Sequence, residues 1–240
     1  MIMSRRRIRA IVRKELREYR RNRSIVVTMA IFPLIFLIQP LVVLLLAPES
    51  SSTSLGQMHL LLYMLAIPVL VPAAVAASAV AGEREQGSLE PVLTTPIRRE
   101  EFLLGKALAA LVPSIAIAYA VYAVFLAGAV LFARPAVASA ILQGPDILAQ
   151  ALFTPLLALL AIWVGIAIST RSSDARVAQQ LSLVGSLPAV AVTSLIAFDV
   201  IHATLGLALG IGALLLVLDG LGWRIVSPMF DRERLITGTR

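Results

Sequence analysis

The chain contains no cysteine, so neither a disulfide framework nor a thiolate metal site is open to it. Charge is scarce too: 15% of the 240 residues are Asp, Glu, Lys or Arg, and 6% are aromatic. A soluble domain carries about 25% charged and roughly 45–50% apolar residues. Here 59% are hydrophobic and the mean hydropathy is +0.89. These values exclude an ordinary soluble enzyme. They place the chain among polytopic membrane proteins, with one bundle accounting for its length.

Ionisable groups are missing from long runs. Six stretches lack Asp, Glu, Lys and Arg: Ser24–Pro48, Ser50–Gly82, Ala107–Ala133, Ile147–Thr170, Val177–Phe198 and Val200–Leu218. Each supplies the roughly 20 residues that a helix needs to cross about 30 Å of hydrocarbon. Backbone in lipid must satisfy its own hydrogen bonds, so helices are expected. The second run is overlong and starts as a polar loop over residues 50–57. The last two are parted only by Asp199, which predicts a tight hairpin or a partly re-entrant segment. The first run is read as a retained span, since it is too long for a signal-peptide core.

With so few charges at membrane depth, a coupling-ion path is hard to build. Asp219 is expected to snorkel or to pair with Arg224, and His59 and His202 to lie at span ends. No internal repeat is visible, which counts against a secondary transporter made of two homologous halves. Prolines recur within the runs, at Pro33, Pro40, Pro68, Pro72, Pro113, Pro155 and Pro188. They predict curvature and packing, with broken helices as the alternative. Gly206 and Gly210 form a single GxxxG.

Catalytic constellations are absent as well. Ser186 in VGSLP and His202 are the only pair that suits an intramembrane protease, and the motif is not GxSG. Gly105-Lys106 ends like a phosphate loop, but GxxxxGK[ST] requires Gly at 100 and Ser or Thr at 107. Glu100 and Ala107 stand there instead. The chain is read as a non-enzyme with no cofactor of its own.

What is present is basic charge at the start. The net charge is +7, and ten basic residues fall between Arg5 and Arg23. Their place directly before a span points to topology and anionic lipid, not to nucleic acid. Ile8, Ile11, Val12, Leu16 and Tyr19 follow helical spacing, with Arg9, Arg13, Arg17 and Arg20 on the other positions. That pattern predicts an interfacial amphipathic helix, either a plain anchor or an elbow that also touches a partner.

Six spans put the N-terminus, the 83–106 segment, the 171–176 connection and the C-terminal tail on one side. That side holds every basic residue except Arg134. By the positive-inside rule it is the cytoplasm, with the chain integral to the cytoplasmic membrane. The expected organisation is an elbow helix over 1–23, a six-helix domain over 24–223 and a cytoplasmic tail over 224–240.

The longest polar interval is Gly82–Lys106, GEREQGSLEPVLTTPIRREEFLLGK, with five carboxylates. Pro91 and Pro96 stiffen it. Leu89, Val92 and Leu93 offer an apolar ridge inside a rim of Glu83, Arg84, Glu85, Glu90 and Arg98. An apolar anchor in a charged rim suits a docking element. Glu100, Glu101 and Lys106 are expected to cap and flank the third span.

The interval closely resembles the signature between the second and third spans of ABC-2 type transporter permeases. Glu83, Arg84, Glu85, Gly87, Ser88, Leu89, Glu90, Leu93, Thr94, Pro96, Arg98, Glu101, Phe102, Gly105 and Lys106 match its pattern. The resemblance implies an all-α membrane bundle of the type V exporter kind, with six transmembrane helices after an interfacial amphipathic helix. It implies permeases working in pairs, as homodimers or heterodimers, with separate ATP-binding subunits that hold ATP and magnesium. Most such systems export. Glu83, Arg84, Glu85, Gly87, Ser88, Leu89, Glu90, Val92 and Leu93 would form the coupling helix that enters a groove of the ATPase. Two other classes stand beside this one: a membrane anchor that recruits a cytosolic partner without transport, and a secondary transporter.

Overall fold

The computed structural model describes residues 4–87 and 97–230, and all regular structure among them is helical. Helix α1 (Arg5–Arg21) is followed by α2 (Arg23–Leu46), with only Asn22 between them. Then come α3 (Ser52–Gln57), α4 (Leu60–Tyr63), α5 (Ile67–Glu85), α6 (Arg99–Phe132) and α7 (Pro135–Ile141). The described chain ends with α8 (Gly144–Arg171), α9 (Ala175–Ala197) and α10 (Leu205–Val226).

Six stretches are long and apolar enough to cross a membrane: Ile25–Leu46, Leu60–Glu85, Arg99–Phe132, Gly144–Arg171, Ala175–Ala197 and Leu205–Met229. This is an integral membrane protein of the all-α class. Alternate spans run in opposite directions, so the bundle has a basic end, where α1 lies, and an opposite end.

The second span is the core of the bundle. In its most apolar stretch 94% of the residues are buried, against 17% in the first span and 11% in the last. Spans α2, α6, α8 and α9 pack around α5. Composition explains why. Ala73, Ala74, Ala76, Ala77, Ala79 and Ala81 leave little side chain on α5, so neighbouring backbones come close, as small residues allow in membranes. Gly165 on α8 completes that approach, since a Cβ there would lie 2.8 Å from the Ala73 carbonyl oxygen.

The prolines divide into two groups. Pro33, Pro40, Pro72, Pro113, Pro155 and Pro188 lie inside continuous helices. Pro68 instead follows a 3₁₀ turn, Met64–Ala66, that splits the second span into α4 and α5. A proline in the first turn of a helix lacks a donor that would be unsatisfied anyway, so α5 restarts there without loss.

Three boundaries differ from those drawn on hydropathy. The 83–106 segment is helical at both ends, because α5 runs through Glu85 and α6 begins at Arg99. Its charged flanks pair with one another, so they do not end the helices. Helix α10 starts at Leu205, after a connection over 198–204 in which Asp199 takes a φ of 56°. It also continues past residue 223, since Trp223 packs edge-on against Trp163 with ring centroids 5.9 Å apart. At the opposite end, α3 and α7 pack together, and the Gln143 side-chain amide donates to the Gly56 carbonyl at 2.7 Å.

A candidate coupling site at the basic end

Helix α1 has one face of Ile11, Glu15 and Tyr19, four residues apart and all buried. An apolar, acidic, aromatic stripe on an otherwise arginine-rich helix needs a partner for its carboxylate. Lys106 supplies it. This lysine, on the second turn of α6, is fully buried, and its Nζ lies 2.9 Å from Glu15 Oε1 and 3.1 Å from Glu83 Oε1. It also donates to the Ala79 carbonyl and sits 4.9 Å from the centre of the Phe102 ring.

Lys14 closes the cluster from the rim. Its ammonium donates to Glu83 Oε1 and lies 3.3 Å from Glu18 and 3.5 Å from Glu15. Half-burial disfavours that charge, but the hydrogen bond and charge of Glu83, helped by Glu15 and Glu18, outweigh it and hold Lys14 above its ordinary value. Burial, reinforced by the same carboxylates, pushes the Tyr19 phenol well up. Two ammonium groups thus bind α1, α5 and α6 together. The carboxylates of Glu15, Glu18 and Glu83 approach one another closely enough to suit a metal ion. Lys14 and Lys106 already provide the positive charge there, so the set does not fit one.

A second tie holds the start of α1. Glu101 Oε1 accepts from the Ser4 backbone N–H at 2.7 Å, while its Oε2 lies 3.3 Å from Arg7 and accepts from the Arg98 N–H at 3.2 Å. One buried carboxylate therefore caps α6 and anchors α1. Caps of this kind satisfy otherwise orphaned donors of the first turn.

A third tie runs from α5 to α8. Arg84 donates to the Ser172 carbonyl at 2.6 Å and to the Thr170 carbonyl at 3.3 Å, at the last turn of α8. One turn deeper, the Ser169 hydroxyl accepts from Val80 and Ala81 at 2.9 and 3.0 Å. Gly87 then ends α5 with a φ of 63°, a left-handed cap that residues bearing a Cβ adopt at a cost.

The residues predicted for docking therefore divide. Glu83 and Arg84 face inward and tie helices together, while Glu85 and Gly87 are exposed where α5 ends. Ser88, Leu89, Glu90, Val92 and Leu93 lie outside the described residues. Arg9, Arg13, Arg17 and Arg20 are exposed along the outer face of α1, lining a groove of about 680 Å³ floored by Val12 and Leu16. A second cleft, of about 540 Å³, opens between α1, α5 and α9 and is lined by Glu18, Tyr19, Ile25, Ser78, Glu85 and Gln179.

Sequence reasoning had Glu101 cap and flank the third span, and it does cap α6. The same reasoning left Lys106 as a flanking residue and did not single out Glu15. Their signal was nonetheless present: a lysine beside an apolar run, and a glutamate on the apolar stripe of a basic helix, each demand a buried partner. Asp219 neither snorkels nor meets Arg224. It is buried on α10, and neither carboxyl oxygen has a hydrogen-bond partner among the described residues. Ser186 donates to the Ser182 carbonyl, and His202 sits exposed beside Asp199, so they form no catalytic pair.

No curated protein sequence matches the chain. The profile of the family described as ABC-2 family transporter protein matches residues 9–221, from within α1 to within the last span, and includes the polar interval between the second and third. The chain belongs to the ABC-2 family of transporter proteins and is a membrane-spanning permease component of an ABC transporter.

Proposed function

We propose that this permease moves amphipathic cargo out of the cytoplasm, driven by ATP that a separate subunit binds and hydrolyses. The basic end of the bundle faces the cytoplasm, because basic residues collect there. The observation that carries the reading is the Glu83–Lys106 pair with Glu15. It joins both flanks of the polar interval to α1, and Arg84 joins the same interval to the end of α8. A partner seated on the interval pushes on three spans and α1 at once.

Such a push changes the bundle only if the partner binds its two arrangements unequally. An ATPase that alternates between nucleotide states meets that condition. The exposed residues Glu85 and Gly87, continuing into Ser88, Leu89, Glu90, Val92 and Leu93, form the contact surface. Glu83 and Arg84 transmit from it. ATP and magnesium reside in the partner, and two permease copies, identical or not, complete the pathway. Exposed Arg9, Arg13, Arg17 and Arg20 hold α1 against lipid phosphates.

The test is a mild-detergent pull-down from native membranes, assayed for vanadate-sensitive ATPase, with the wild type beside Leu89→Asp. The expected result is ATPase activity with the wild type and its loss with Leu89→Asp, since a charge on the ridge opposes burial. Recovery of an inert chain alone overturns the exporter reading and leaves a membrane anchor in its place.

A further inference from the structure

Away from the basic end, buried polar side chains gather in one lane. Asp146, Gln150 and Thr154 are four residues apart on α8 and are 3%, 1% and 0% exposed. Residues at that spacing share one helix face, so the lane runs inward from the opposite end of the bundle for about 12 Å. Helix α6 meets it there. The Tyr119 hydroxyl donates to the Ala151 carbonyl at 2.7 Å, which fixes the register of the two helices. Tyr122, one turn nearer the opposite end, is buried in the same apolar cluster as Leu60 and Leu61, with Ile147 packed against it. The Asp146 carboxylate lies within electrostatic reach of the Tyr122 phenol.

The Asp146 carboxylate uses one oxygen. Its Oδ1 lies 2.8 Å from His59 Nδ1, which orients the group. Asp146 Oδ2, Gln150 Oε1 and Tyr122 Oη have no hydrogen-bond partner among the described residues. Thr154 is different, since its hydroxyl donates to the Gln150 carbonyl. The unsatisfied set is thus a carboxylate oxygen, an amide carbonyl oxygen and a phenol oxygen. All three are acceptors, and only the phenol carries a proton.

Leaving such atoms bare inside a span is costly, and polar residues kept at membrane depth mark a ligand or a path. The charge balance points the same way. Arg134 is exposed, and His59 is the only charged or titratable side chain in ion-pair contact with Asp146 among the described residues. A hard oxygen set does not suit a soft or transition metal, and one carboxylate balances a single positive charge. We propose that Asp146, Gln150 and Tyr122, with His59 positioning the carboxylate, form a binding site for a small alkali cation between α6 and α8. The bound ion staples the two spans at the end away from the coupling site. The site stands on its own observations and does not depend on which ATPase pairs with the chain.

The experiment is thermal melting of the purified full chain in lipid nanodiscs. Sodium, potassium and N-methylglucamine chlorides are titrated at equal ionic strength. The expected result is a saturable rise in melting temperature with sodium or potassium and none with N-methylglucamine. Asp146→Asn abolishes that rise. His59→Ala weakens the apparent affinity about 10- to 100-fold, the usual loss when the group orienting a metal ligand is removed. Tyr122→Phe keeps the ring and deletes only the oxygen, so it weakens the response even if Asp146→Asn does not fold. Equal responses to all three salts, or an alkali response unchanged in Tyr122→Phe, overturn the proposal and assign the lane to water alone.

Discussion

Glu83 lies near the end of the second span and Lys106 near the start of the third, and their side chains meet at 3.1 Å inside the bundle. The two flanks of the polar interval are therefore tied within the bundle. Glu15 fixes them to α1 through the same ammonium. Displacement of either flank is thereby felt by the other and by α1.

Removing the hub makes this measurable. Lys106→Met leaves the Glu15 and Glu83 carboxylates buried without that ammonium, and breaking a buried pair from one side costs about 3–5 kcal/mol. Adding Glu15→Gln and Glu83→Gln removes the stranded charges and recovers much of the loss. The readout is the melting temperature of the detergent-solubilised chain. Equal melting of the single and triple variants would show that the cluster contributes packing and not charge.

The Arg84 contact separates a scaffold role from a docking role. A guanidinium reaches two carbonyls with one planar fork, which a lysine does not reproduce. Arg84→Lys should therefore loosen the last turn of α8 while the protein still inserts. Hydrogen exchange over residues 165–175 reads this directly, with faster exchange expected in the variant. Unchanged exchange, together with lost ATPase pull-down, would make Arg84 a contact residue.

How much of this was legible in the sequence follows from distance along the chain. The six spans and the basic end depend on local composition, and both could be read without a structure. The ends of α5 and α6 could not. Hydropathy stops a span at its first charge, whereas Glu83 and Lys106 cancel each other across the bundle and let both helices continue. The Glu15–Lys106 pair joins positions 91 residues apart, so no local pattern contains it. Asp146 escaped for a related reason. It sits one residue before an apolar run, where a carboxylate looks like a boundary, and only the fold shows it buried beside His59.

The rim lysine gives the clamp a pH limit. The folded-state value of Lys14 is raised above its ordinary 10.5, against the opposing effect of burial. A raised value in the folded state means that its stabilising contribution is complete below the ordinary value. The contribution fades as pH climbs through the folded-state value. At neutral pH the Lys14–Glu83 tie is therefore intact, and it weakens only in strong alkali. A spin label on the exposed face of α1, at Arg13, should show an immobilised spectrum up to the ordinary lysine value of 10.5, with mobility rising only in stronger alkali. Lys14→Met should remove that alkaline step while keeping Lys106 in place. An α1 that loosens near neutral pH would mean another group sets its attachment.

Close packing distinguishes helix α1 from the core it clamps. A Cβ at Gly105 would lie 2.7 Å from Ile11 Cγ2 and 2.8 Å from Ile11 Cβ, so Gly105→Ala pushes on a side chain of α1. A Cβ at Gly165 would lie 2.8 Å from the Ala73 backbone oxygen, so Gly165→Ala pushes apart the two most tightly packed spans. Overpacking of this kind costs about 1–3 kcal/mol. The two losses should take different forms. Gly165→Ala should lower the melting temperature of the whole bundle. Gly105→Ala should expose the α1–α2 junction to protease at Arg21 or Arg23 while the spans stay folded, and Ile11→Ala in the same chain should restore protection. Gly206→Ala serves as the control, because nothing lies within 4 Å of a Cβ there. If Gly105→Ala destabilises the bundle as much as Gly165→Ala does, then α1 is part of the core, and a push on the polar interval cannot move it separately from the spans.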